Sequence, residues 1–334
     1  MSSPPCAPCW IPSWTGRVHG AGPNGWKAAD MKTIAVCIVN YNTRDLLRAC
    51  LHSALAEKPD EIVVVDDAST DASAEMVEMD FPSVRLIRLN ENIGYGAASN
   101  RAVRDCRAEH ILLLNGDTVV KPGALRCLNR YLEERRSAAI LGPCILNPDG
   151  SPQTSCFHFP TPPHIFLYLS GLYRLIPRIP ILRKFSFQKA SAGSAGAVPW
   201  VLGAALAFRR ETFEALGGFD ESFFMYFEEV DLCYRASRRG WQAHFVPEAE
   251  IIHVGGASTE QERGGMTLQY FASLAEFYRK HYPRRALAAL ILMVKTFAFF
   301  GLLRPPLETD RMIQRGLLNG RWSRRSDEEK AVPV

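Results

Sequence analysis

Short, unbroken apolar runs alternate with longer stretches of helical period from Thr33 to Leu141. Thr33–Val39, Glu61–Val65, Val84–Leu89, Ile111–Leu114 and Ala138–Leu141 have strand length, the pattern of strands covered on both faces. Between them the spacing predicts helices ending near Leu55, following Asp71, spanning Ala97–Arg107 and opening at Pro122. Ser69 or Thr70 is the expected cap of the second of these. Apolar strands alternating with helices predict an α/β domain built on a doubly wound, mostly parallel sheet.

Each of the first four runs gives way to polar residues. These are Asn40-Tyr41-Asn42-Thr43, Asp66-Asp67-Ala68-Ser69-Thr70-Asp71, Asn90-Glu91-Asn92-Ile93-Gly94-Tyr95-Gly96 and Asn115-Gly116-Asp117-Thr118. In doubly wound sheets ligands sit beyond the carboxyl ends of the strands. Asn40, Tyr41, Asp66, Asp67, Asn92, Gly94 and Asp117 are therefore expected along one edge. Turn chemistry explains any one of them, because Asn, Asp and Gly favour turns; four consecutive ends together point to a site. The first strand-to-helix turn lacks G-x-G-x-x-G, which argues against a dinucleotide-binding domain.

A second concentration of chemistry lies in Trp200–Trp241. Gly217-Gly218 is followed by five aromatics (Phe219, Phe223, Phe224, Tyr226, Phe227) and then by Glu228, Glu229 and Asp231. The acidic residues open a helix expected to run to Arg239 and stop at Gly240. Acidic residues suit a first helical turn. Carboxylates walled by aromatics are costly unless paired or used, which makes them candidates for catalysis.

Five stretches in order carry a resemblance: Val36-Cys37-Ile38-Val39-Asn40-Tyr41-Asn42, Val65-Asp66-Asp67-Ala68-Ser69-Thr70-Asp71, Asn92-Ile93-Gly94-Tyr95-Gly96 with Asn100, Leu113-Leu114-Asn115-Gly116-Asp117, and Phe227-Glu228-Glu229-Val230-Asp231-Leu232-Cys233. Together they resemble an inverting family 2 glycosyltransferase with a GT-A fold, in its bacterial rhamnosyltransferase-like branch. The resemblance covers Lys32 to Gly256. It implies displacement at an anomeric carbon, a nucleoside diphosphate leaving group and a divalent metal cofactor, Mn²⁺ or Mg²⁺.

The resemblance also implies roles. Asp117 matches the metal-binding end of the family's D-x-D motif, and His253 stands where relatives place a metal-ligating histidine. Asn115 replaces the first acid of D-x-D without its charge and is left to touch the ribose or a metal-bound water. Asp67 matches the contact to the nucleobase imide, with Tyr41 beside it and Asp66 bracing the loop or sharing that role. Asn92 and Gly94 match the loop that passes close to the nucleotide. Trp200 and Gly203 fall where relatives border the acceptor; Trp200 either stacks on a sugar or belongs to the core. Glu229 stands at the place of the family's catalytic carboxylate. On a helix Glu228 points about 100° away, which leaves it to bind acceptor hydroxyls or brace the loop. Asp231 is expected to fix the helix start and is the next candidate for the base. The implied partners are a nucleotide-sugar donor, with dTDP-L-rhamnose as candidate and UDP-hexose as alternative, and a growing glycan or glycolipid acceptor. A catalytically inactive GT-A subunit serving as a scaffold is the rival from another class.

Composition changes this picture little. Apolar residues make up 47% and the formal charge is +4, with arginines and lysines gathered at 174–189 and 304–325. No nucleic-acid motif accompanies them, which leaves phosphates, anionic lipid or simply an exposed, solvated face. The nine cysteines show no disulfide framework, and Cys6-x-x-Cys9 has no second pair, which suits a reducing, cytoplasmic compartment. Residues 1–30 read as a disordered or non-native leader, 31–283 as the GT-A domain (31–142 nucleotide-binding, 143–283 acceptor and catalytic) and 284–334 as an apolar helix with a basic tail. Phe157–Val198, rich in proline and aromatics, is expected to form an acceptor- or membrane-facing flap. Ala286–Leu303 just reaches spanning length, but Lys295 near its middle argues against a span. An interfacial or partner-buried helix is expected instead, with a peripheral contact at the inner face of the cell membrane. No feature of the pattern sets an oligomeric state.

Overall fold

The computed structural model describes residues 32–170, 195–255 and 263–302. The leader, the basic segment 174–189, the Cys6–Cys9 pair and the tail beyond Leu302 lie outside the described residues. The chain begins β1 (Ile34–Asn40), α1 (Arg44–Ala56), β2 (Glu61–Asp66), α2 (Ser73–Asp80), β3 (Arg85–Arg88), α3 (Tyr95–Asp105) and β4 (His110–Asn115). It continues with β5 (Thr118–Val120), α4 (Ala124–Glu134), β6 (Ala138–Leu146), β7 (Cys156–Phe157) and α5 (Pro162–Leu169). Then come β8 (Gly196–Val198), β9 (Trp200–Val201), β10 (Ala205–Arg209), α6 (Arg210–Leu216), α7 (Glu228–Arg238), β11 (Gln242–His253), α8 (Arg263–His281) and α9 (Arg284–Leu302).

The main sheet has the order β3-β2-β1-β4-β10-β6-β11-β5, with β8 paired to β11. β1 to β4 are parallel to one another, and β6 and β11 form a second parallel pair. β10 enters antiparallel between β4 and β6. Its reversal follows from its start: the peptide of Ala204 already bonds Asn115 N at the carboxyl end of β4, so the strand must run back. Alternate residues of β1 face opposite layers, as a pleated strand requires. Ala35, Cys37 and Val39 pack towards α3, α7 and α8, whereas Ile34, Val36 and Ile38 pack towards α1, α2 and α4. The unbroken apolar runs are thus strands covered on both sides, the condition for a buried parallel sheet.

Two local expectations fail. α2 starts at Ser73 behind Ala72 in the left-handed region, and neither Ser69 nor Thr70 caps it. The Ser69 hydroxyl is engaged elsewhere, accepting from Asn42 N at 2.9 Å and Asn40 Nδ2 at 3.1 Å. Asp71 Oδ1 takes Ser73 N at 3.0 Å in its place. α4 begins at Ala124, after Gly123 at φ +86°, rather than at Pro122. Among the described residues no helix is long and apolar enough to cross a membrane.

Candidate active site

Parallel register brings the polar strand ends into line: Asn40 pairs with Asp66 across β1 and β2, and Val39 with Asn115 across β1 and β4. Behind that edge the side chains brace one another. Asn40 Nδ2 donates to Asp66 Oδ1 at 3.0 Å, Thr43 Oγ1 donates to Asn40 Oδ1 at 2.6 Å, and Ser69 N donates to Asp66 Oδ2 at 3.0 Å. Asn40 and Asp66 therefore hold the loops and are not among the residues lining the cleft, which for Asp66 is the bracing alternative of its two expected roles.

Asp67, one residue on, does line it. Its two oxygens accept Ile93 N at 2.8 Å and Gly94 N at 3.2 Å, tying the loop after β3 to the end of β2. Burial pushes its pKa up to about 6, against the pull of those two amides. Gly94 sits at φ +88°, and a Cβ there would lie 2.2 Å from the Phe224 carbonyl oxygen, so only glycine fits. Tyr41 and Asn92 line the same cleft.

Asp117 and His253 meet where β5 pairs with the end of β11. His253 Nε2 lies 3.5 Å from Asp117 Oδ1, while Gly255 N donates to Asp117 Oδ2 at 3.2 Å. Burial lowers the His253 pKa and the Asp117 carboxylate partly restores it. The pair offers a carboxylate oxygen and an imidazole nitrogen, a donor set that suits a divalent cation. Among the described residues no cluster of three or more His, Cys, Asp or Glu forms, so such an ion would need further oxygens from a ligand.

Glu228 and Glu229 start α7, and both line the cleft. The roughly 100° between them on the helix keeps neither from the cleft, because the cleft meets α7 at its N-terminal end rather than along one side. Tyr226 and Phe227 turn the chain into that position at φ +67° and +71°. Two consecutive non-glycine residues in this region cost of order 1–3 kcal/mol each, held in place by the surrounding packing. Glu228 Oε2, Glu229 Oε2 and Asn115 Oδ1 are buried without a hydrogen-bond partner. Burial raises both glutamate pKa values. The Glu229 carboxylate is eased by backbone N–H groups, that of Gly203 among them; Glu228, beside the Glu229 charge, has only its own and is raised well above the usual range. Two raised carboxyls this close favour sharing one proton and one charge between them.

Gly203 lines the cleft, and a Cβ on it would lie 3.2 Å from Glu229 Oε1. Trp200 is not among the lining residues. It is buried, stacked on Phe157 at a centroid distance of 4.3 Å, with Nε1 donating to the His158 carbonyl oxygen at 2.9 Å. Asp231 also lies away from the cleft, hydrogen-bonded to Arg235 and His281. Pattern reading missed Tyr95, whose hydroxyl donates to the Gly203 carbonyl oxygen at 3.0 Å, and Gln153, which contacts His253 at 2.9 Å. Tyr95 stood inside a motif but at an aromatic position that also reads as core. Gln153 carried no signal, since its contact spans a hundred residues.

The chain matches known proteins over this whole region. A family model described as "Glycosyltransferase like family 2" matches residues 32–272. An N-acetylglucosaminyl-diphospho-decaprenol L-rhamnosyltransferase of Mycobacterium tuberculosis is 31% identical over 225 residues, 63% of this chain and 71% of the relative. The rhamnosyltransferase WbbL of Escherichia coli is 25% identical over 230 residues, 66% of this chain and 83% of the relative. Among solved structures, GalNAc-T7 with UDP, GalNAc and Mn²⁺ superposes with a TM-score of 0.52 at 18% identity, covering 68% of this chain and 44% of that one. That likeness concerns the fold, an α/β sheet of GT-A type. The chain belongs to glycosyltransferase family 2 and is rhamnosyltransferase-like.

Proposed function

We propose that this glycosyltransferase moves a sugar, with dTDP-L-rhamnose as the candidate donor, onto a hydroxyl of a growing lipid-linked glycan, with inversion at the anomeric carbon. One observation carries the reading: two buried carboxyl groups at Glu228 and Glu229, each with one oxygen lacking a hydrogen-bond partner, share a cleft with Asp117, His253 and Asp67. The names of the two rhamnosyltransferase relatives support the choice of sugar.

Glu229 is the general base, because it stands at the place of the family's catalytic carboxylate and lines the cleft against the bare Gly203. Glu228 is placed to bind an acceptor oxygen. Asp67, when ionised, accepts a hydrogen bond from a nucleobase imide. Asp117 and His253 would hold a divalent cation together with oxygens of the donor's diphosphate. When bound, that ion neutralises negative charge on the leaving group.

Donor-dependent release of free nucleoside diphosphate, followed with dTDP- and UDP-sugars, tests the enzyme reading. Excess chelator is expected to abolish release, and added Mn²⁺ or Mg²⁺ to restore it. Asp117→Ala is expected to lose metal-dependent nucleotide binding in a thermal-shift assay. There the wild type should gain about 2.7 kcal/mol with ligand at 100 times its dissociation constant. Full activity in chelator would sink the metal assignment, and no release from any donor would leave a scaffold.

We further infer a peripheral contact with an anionic lipid surface. α9 opens with exposed Arg284 and Arg285 and exposes Leu292, Phe299 and Phe300. α5 adds exposed Phe166 and Tyr168 beside it, Phe166 packing on Phe297 with centroids 6.1 Å apart. Leu290, Val294 and Ala298, on the opposite face, close part of the core, so surface substitutions test this better than truncation. Burying a large apolar side chain yields about 1.5–3 kcal/mol. Replacing Leu292, Phe299 and Phe300 by serine should therefore weaken co-sedimentation with anionic phospholipid vesicles at least about tenfold. Equal sedimentation of the triple variant and the wild type would refute the contact.

A further inference from the structure

The turn that follows β6 places a run of polar side chains behind His253. It is closed by Asn147 N donating to the Ser151 carbonyl oxygen at 2.8 Å and Gln153 N to the Ile145 carbonyl oxygen at 2.8 Å. Its side chains form a chain of hydrogen bonds with only one consistent direction. Ionised Asp149 can only accept. The Ser151 hydroxyl, 2.5 Å from Asp149 Oδ1, must spend its single proton there. Ser151 Oγ is then an acceptor for Asn147, so the amide nitrogen Nδ2 faces it at 2.9 Å. Asn147 Oδ1 is left to accept Gln153 Nε2 at 3.3 Å. That in turn points Gln153 Oε1 at His253 Nδ1, 2.9 Å away. An oxygen there requires the proton on Nδ1, and a neutral imidazole has only one. Nε2 therefore presents its lone pair, 3.5 Å from Asp117 Oδ1. Two acceptors facing each other across that gap repel unless something positive lies between them.

We propose that Asp149, Ser151, Asn147 and Gln153 form a one-way hydrogen-bond chain that holds His253 in its Nδ1–H tautomer. Nε2 and Asp117 Oδ1 are thereby preformed as a pair of cation ligands. Gln153 is the positioning residue, acting through His253. The part of this that concerns a cation rests on the metal reading above; the part that concerns the tautomer does not.

Two measurements on the full chain separate those parts. The first is ¹⁵N NMR of the imidazole nitrogens of metal-free protein at a pH where the ring is neutral, with the His253 signals assigned by their loss in His253→Ala. The second is the Mn²⁺ dissociation constant, read by electron paramagnetic resonance in the presence of nucleoside diphosphate. The wild type should show Nδ1–H at His253. Gln153→Leu should lose that preference and weaken Mn²⁺ binding about 10–100-fold, the usual effect of removing a group that orients a metal-ligating histidine. Gln153→Glu keeps an acceptor at the same place and should retain the tautomer, which a merely structural role for the amide would not produce. A wild-type ring protonated on Nε2, or a tautomer unchanged in Gln153→Leu, overturns the proposal. If the wild type binds no Mn²⁺ while its tautomer is as stated, the metal reading falls and the orienting chain stands.

Discussion

Glu229→Gln is expected to keep donor nucleotide binding and to lose sugar transfer by about 10²–10⁴-fold, the usual contribution of a general base. The argument begins with burial. A carboxylate removed from water without a full set of partners is costly, and Glu229 Oε2 has none. The fold tolerates it because Gly203 lacks a side chain and offers its N–H to the carboxylate. It follows that Glu229→Gln should leave the melting temperature unchanged or raise it, since the variant no longer buries a charge. Burial also raises the Glu229 pKa, so the acid limb of the wild-type kcat/KM profile should lie above the ordinary glutamate range and vanish in the variant. Glu228→Gln should leave kcat near wild type, because a neutral amide still donates where a protonated carboxyl would, and its loss should fall on the KM for the acceptor. Near wild-type transfer by Glu229→Gln would move the base elsewhere in the cleft.

That assignment was half legible in the amino-acid sequence. The parallel strands could be read because a strand covered on both faces must be apolar throughout, and the cleft residues at their ends because turns after such strands open on one edge. Asp67, Asp117, Glu228, Glu229 and His253 all reached the cleft. β5, β7, β8 and β9 have two or three residues each, too few for any period, and exist only through tertiary pairing. The reversed β10 is as apolar as a parallel strand, so its direction left no trace in the pattern. Trp200 illustrates a different limit. Whether an indole faces a ligand or the core is decided by what lies opposite, and here Phe157 does, from a strand too short to foresee. The hydroxyl of Ser69 satisfied the preference for a helix cap but had stronger claims from Asn40 and Asn42. Gly94 carried both signals together: glycine at a turn, and glycine where the Phe224 carbonyl comes close.

Asp231→Ala should do the opposite of Glu229→Gln, losing stability while sparing the chemistry of protein that remains folded. Asp231 lies three residues from Glu228 and in the same acidic run, yet it is only 1% exposed and its oxygens are engaged. Arg235 Nε donates to Oδ2 at 2.6 Å and His281 Nε2 bonds Oδ1 at 2.6 Å. Arg235 also donates to the carbonyl oxygens of Leu216 at 2.5 Å and Gly218 at 2.8 Å, closing the end of α6. One carboxylate thus ties α7 to the glycine turn that feeds the aromatic run and to the end of α8. Removing one member of a buried ion pair costs about 3–5 kcal/mol. The Arg235 side chain is 25% exposed and can recover some hydration, which places the cost near the lower end, about 3 kcal/mol. At about 2–4 °C per kcal/mol for a domain of 150–250 residues, the melting temperature should fall by roughly 6–12 °C. Donor affinity measured well below that transition should stay within about twofold of wild type, since no atom of Asp231 lines the cleft. An Asp231→Ala protein with an unchanged melting temperature and no transfer would place this carboxylate in the chemistry and remove Glu229 from its role.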